Sequence, residues 1–158
     1  MDGAQQTSYL SPMTVKSPLY ESDFYAWSRE QAELLRAGEI DKADIEHIAE
    51  EIDSMGTTEK RELISRLNVL LLYLLKWRYQ PGKRGPSWEA SILNQRDAIA
   101  DHLDDNPSLK PLVPKALASA CRTARREAVV ETGLAGSTFP EACPWTVEQV
   151  MDGGFWPG

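Results

Sequence analysis

The chain has 158 residues, 42% of them apolar, and a formal net charge of −7. That is enough for one domain with a core that needs no disulfide or metal staple. Its longest apolar run, residues 69–75, falls far short of the roughly 20 residues of a membrane helix, and the first 18 residues lack the basic and apolar regions of a secretory leader. No membrane partner is expected, and the cytoplasm is the expected compartment.

Residues 1–19 read as a loose tail and residues 20–158 as a single helical domain. Tyr20, Phe24, Trp27, Leu34 and Leu35 recur at helical spacing and predict a helix over 21–36, its apolar face interrupted by Gln31. Ser22 or Asp23 suits its N-cap and Gly38 its C-cap. Asp41 or Asp44 opens a second helix whose inner stripe is Ile45, Ile48, Ala49, Ile52 and Met55, leaving Glu46, His47, Glu50, Glu51 and Asp53 off that stripe. Gly56, Thr57 and Thr58 predict a break or kink, although one glycine costs a helix interior only about 1 kcal/mol.

Over residues 59–79 the stripe Leu63, Leu67, Leu70, Leu74 and Trp77 is widened by Ile64, Val69, Leu71, Leu72 and Leu75 until little polar circumference remains. A helix apolar nearly all round belongs in the middle of a bundle. Asn68 and Tyr73 then need hydrogen-bond partners wherever they are buried. Gln80, Pro81 and Gly82 end this helix, and Lys83, Arg84, Gly85 and Pro86 form a loop. Ser87 caps a third helix reaching about residue 104, with Trp88, Ile92, Ile99 and Leu103 inward and Gln95 in the gap; the short loop makes it antiparallel to the central helix. Pro107, Pro111 and Pro114 open a short turn and a longer helix over about 114–132, whose stripe Leu117, Cys121, Ala124 and Ala128 suits close approach. Gly133 caps it, with Leu134 behind. The remainder is irregular apart from a turn of helix with capping-box spacing from Thr146 to Gln149. The expected fold is therefore all-α: a bundle of about five helices around a central apolar helix at about 59–79, with an irregular C-terminal segment.

Six stretches laid along this scheme, YESDFYAWSREQAELLRAGEI, DIEHIAEEI, LLLYLLKWRYQP, SWEASILNQR, ARREAVVETGL and FPEACPW, together resemble the bacterial family catalogued as domain of unknown function 29. The resemblance spans roughly residues 20–157. It implies a compact all-helical fold and no established activity, substrate or cofactor. Many relatives are expected to carry histidine where this chain has Tyr73, so chemistry assigned to such a histidine would not carry over.

Charge is distributed unevenly: residues 1–59 sum to −9, residues 60–96 to +6 and residues 97–158 to −4. The basic block holds the first candidate site, Lys76, Arg78, Tyr79, Lys83, Arg84 and Trp88, where cations and rings gather at one helix-loop-helix corner. Phosphate contacts with base stacking would suit single-stranded nucleic acid. The ordinary alternative packs Trp77 and Trp88 in the core and pairs the cations with Glu50, Glu51 and other acids of the second helix; the acidic overall balance favours it. A second candidate, a metal site, is His47 with Glu50 and Glu51 one turn away, yet two or three such residues on a solvated acidic face do not make a zinc site. His102, among Asp101, Asp104 and Asp105, is explained by the helix dipole. Arg122, Arg125 and Arg126 with Glu127 and Glu131 read as structural ion pairs. Cys121 and Cys143 show no metal-binding spacing and read as free thiols.

With no catalytic constellation and no cofactor motif, the sequence points to a helical interaction or regulatory module that binds a protein partner or itself through the 76–88 corner. The alternative is a metal-dependent enzyme acting on a phosphate-bearing substrate through Glu50, Glu51 and Asp53.

Overall fold

The structure, a computed structural model, describes residues 15–158. Among them six α-helices and no strand occur: α1 (Leu19–Ser22), α2 (Phe24–Arg36), α3 (Ile45–Tyr79), α4 (Pro86–Asp105), α5 (Val113–Thr132) and α6 (Val147–Met151). Among the described residues no helix is long and apolar enough to cross a membrane. The all-α class is as the sequence indicates. The chain divides into two compact units, 1–57 and 58–158, with the boundary inside α3.

In the first unit the helix expected over 21–36 is divided. Asp23 leaves helical geometry at φ −152°, donates its N–H to Leu19, and turns its carboxylate to cap Ala26, so a one-turn α1 precedes α2. Gly38 adopts the left-handed φ of +75° that a helix C-cap asks for. Of the expected tail, residues 1–14 lie outside the described residues, while Ser17 donates its backbone N–H to Asp44.

α3 runs unbroken for 35 residues, roughly 50 Å, which corrects the break expected at Gly56. The glycine penalty is only about 1 kcal/mol, less than the loss of the several backbone hydrogen bonds that a break would open. A second correction concerns the early face of α3. Ile45, Ile52 and Met55, expected inside, are 43%, 58% and 62% exposed.

The second unit holds the core. Leu63, Leu67, Leu70, Leu71, Leu72, Leu74 and Leu75 of α3 are buried, together with Ile92 and Ile99 of α4 and Ala116, Leu117, Ala120, Ala124 and Ala128 of α5. The alanine face of α5 lets helices approach closely. Phe139 and Val150, from the irregular segment and α6, complete the cluster. α4 starts with Pro86 in its first turn and no side-chain cap, so Ser87 is not the N-cap; proline's fixed φ opens the helix instead. Gly133 ends α5 at φ +71°, and Thr146 and Gln149 form the expected capping box.

Cys121 and Cys143 are joined as a disulfide, their Cα atoms 5.6 Å apart, which corrects the reading as free thiols. Spacing along the chain could not reveal this, because the pair meets only when the segment after α5 folds back.

Candidate functional site

The 76–88 corner is largely occupied from within. Lys76 ion-pairs with Glu131 of α5 at 2.9 Å and lies over the rings of Tyr73 and Trp88. Arg84 donates to the carbonyls of Trp77 and Pro157 and stacks on the Trp77 ring. Tyr79 packs edge-on to Phe139 and Trp88 edge-on to Tyr73. Arg78 and Lys83 remain exposed. Lys76 and Arg84 do find internal partners, though these are Glu131 and backbone carbonyls instead of Glu50 and Glu51.

Two further arginines do the same. Buried Arg96 donates to the carbonyls of Val150 and Phe155 and lies over the Trp156 ring; burial pushes its pKa below the ordinary value, with Asp152 opposing. Arg125 donates to the carbonyls of Gly136 and Phe139, where the sequence suggested ion pairs among arginines and glutamates. Irregular segments leave carbonyls without ladder partners. The planar fork of arginine supplies several donors at once. Asn68, which the sequence marked as needing a partner, donates to Glu127.

The first unit is organised around Asp44, which the sequence offered only as a helix opener. Its carboxylate is fully buried and accepts from the Ser17 N–H at 3.0 Å, Trp27 Nε1 at 3.1 Å and His47 Nδ1 at 2.7 Å. Its backbone N–H donates to Gln31 Oε1. Burial pushes the carboxyl pKa up, but the bonds from His47, Ser17 and Trp27 outweigh it and hold the group below its ordinary value. Tyr20 stacks on His47 at 3.8 Å between centroids and donates its hydroxyl to Glu51. That hydrogen bond, with burial and the charges of Glu51, Glu50 and Glu21, raises the phenol pKa to about 12.

The three residues named as a metal site are thus dispersed in role: His47 is bound to Asp44, Glu51 to Tyr20, and Glu50 is exposed. The same network explains the exposed isoleucines. Asp44, His47 and Glu51 lie on one side of the helix, and turning them inward rotates the apolar stripe outward. The signal available in the sequence was the Asp44/His47 spacing of three, one helical turn; the partners at Ser17, Trp27 and Gln31 come only with the fold.

His102 is buried and bridges α4 to α3, its Nε2 on the Glu59 carbonyl at 2.8 Å. Its neighbours are therefore Glu59 and Glu62, where the sequence looked to the helix end and Asp101, Asp104 and Asp105.

Fold and surfaces define an all-helical protein whose interior arginines and acids serve its own architecture and whose exposed chemistry includes an apolar helical stripe. The family model described as domain of unknown function DUF29 matches residues 19–156, and the chain belongs to that family. Comparison with curated proteins and with solved structures gave no match.

Proposed function

We propose that the protein is a helical interaction module whose docking surface is the exposed stripe of α3. One observation carries this reading: Ile45, Ile52 and Met55 stand 43–62% exposed at spacings of seven and three, the pattern of a helix seam awaiting a partner. Ile48, half-buried, and exposed Ala49 fill the stripe. Exposed Glu46, Glu50 and Asp53 flank one side, and residues 1–57 carry 12 acids against 4 bases. The partner that fits is a basic amphipathic helix, its apolar residues on the isoleucines and its lysines or arginines against the acidic rim. A second copy of the chain fits less well, because self-pairing would set acidic rims against each other.

The test is fluorescence anisotropy with a labelled leucine- and lysine-rich amphipathic helix. Wild-type protein binds it, more weakly at high salt. Ile52→Asp weakens binding at least about tenfold, since burying one isoleucine contributes about 1.5–3 kcal/mol. The exposed position keeps that variant folded. Absence of binding, or equal binding by the variant, would sink the proposal, as would a wild-type dimer in sedimentation that Ile52→Asp dissolves, which assigns the stripe to a second copy.

A further inference from the structure

We infer that Glu59, Glu62 and His102 form a binding site for a divalent transition-metal cation of the zinc class, joining α3 to α4 in the second unit. The three side chains offer one ligand atom each, all within 4.8 Å of one another.

The His102 side chain is more than nine-tenths buried, at 8% exposure. Its Nε2 lies 2.8 Å from the Glu59 carbonyl oxygen. A carbonyl only accepts, so Nε2 carries the proton, and in the neutral ring Nδ1 presents a lone pair. Nδ1 faces Glu62 Oε2 at 3.7 Å. That separation is too long for a hydrogen bond. It is close to the distance of about 3.4 Å between two ligand atoms that each sit about 2.1 Å from a tetrahedral metal. A histidine with one nitrogen on a backbone carbonyl and the other turned to a carboxylate has the tautomer and orientation of a metal ligand.

The carboxylates are likewise placed. Arg66 holds Glu62 through Oε1, at 3.0 Å from Nε and 2.9 Å from its terminal nitrogen, which leaves Oε2 for His102. Glu59 Oε2 stands 3.7 Å from Nε2, on the carbonyl side of the ring, and its side chain, 44% exposed, has to swing toward Nδ1 to reach the ion. Two carboxylates balance a divalent charge, and an imidazole among three ligands selects a zinc-like cation over calcium or magnesium. An open groove of about 490 Å³, lined by Glu62, Arg61, Arg66 and Gln95 among others, gives water access from the Glu62 side. The positive charge of Arg66 works against the cation and sets the site in a moderate affinity range.

The experiment titrates the full chain, freed of metals by a chelator, with Zn²⁺ alone at neutral pH while histidine ring nitrogens are followed by NMR. The chain has only two histidines, and His47, bonded to Asp44 through Nδ1, is the internal control. The expected result is one site of micromolar affinity, a shift at His102 Nδ1 with Nε2 still protonated, and no change at His47. Glu62→Gln and Glu59→Gln, both at half-exposed positions, each weaken binding about tenfold or more. His102→Asn abolishes it, and the glutamate variants keep the test valid should that one fail to fold. Absence of binding below about 1 mM, a response at His47 alone, or equal affinity in both glutamine variants would overturn the site. Calcium binding that leaves His102 unmoved would overturn the metal class.

Discussion

Asp44 combines full burial with three hydrogen bonds converging on one carboxylate, and its charge has a consequence for acid stability. Its folded pKa lies below the ordinary value of 3.8. A depressed carboxylate pKa contributes stability above the unfolded value and loses it as pH falls through the folded one. The protein should therefore lose stability progressively below about pH 4. Asp44→Asn keeps the shape but loses the charge-assisted bonds, at a cost of about 2 kcal/mol near neutrality. Urea midpoints at pH 5, 4 and 3 check both statements: other carboxylates titrate alike in the two proteins, so a shallower acid slope in the variant isolates Asp44. Equal slopes would contradict the assignment. Little of this was legible beforehand, because the ligands of Asp44 come from Ser17, Trp27 and His47, and only the last is a helical neighbour. Arg84, Arg96 and Arg125 were visible as cations, yet their acceptors are backbone carbonyls, Pro157, Phe155 and Phe139 of irregular chain among them, that no side-chain pattern encodes.

At the scale of elements, α3 shows what periodicity can and cannot determine. Its later half is apolar nearly all round, so any orientation buries leucines, and the central position of residues 59–79 could be read directly. Its earlier half has one apolar stripe and one polar face, and here periodicity identifies the stripe without saying which side is buried. Asp44, His47 and Glu51 decide that by turning inward toward their partners. Continuity through Gly56 was equally beyond pattern reading, since a penalty of about 1 kcal/mol is easily overridden by flanking helix. It yields a prediction. A Cβ added at Gly56 would meet nothing within 4 Å, and the residue sits inside regular helix. Gly56→Ala should stabilise the protein by about 1 kcal/mol, measured as a higher urea midpoint with an unchanged denaturant slope. A loss of stability would mean that a bend at this position matters in solution.

For the whole molecule, the apolar cluster from Leu63 onward lies entirely within 58–158. In the described part of 1–57 the buried apolar residues are Trp27 and Ala43, and order rests on the polar network around Asp44. A unit of that size with so little buried apolar surface falls below what independent folding needs. Cutting ahead of Thr57 leaves two threonines able to cap the shortened α3. The fragment 57–158 should accordingly be helical and unfold cooperatively, with a midpoint within a few degrees of the full chain, whereas the fragment 1–57 should show the spectrum of an unfolded chain. Circular dichroism and thermal melts of the three proteins decide this. A fragment 57–158 that fails to fold would mean that residues 1–57 are needed to complete the core, and that the chain is the single cooperative domain its length suggests. A fragment that folds while the full chain melts in two steps would instead make the acidic N-terminal unit a separable, less stable element, free to order further when its exposed stripe on α3 meets a partner.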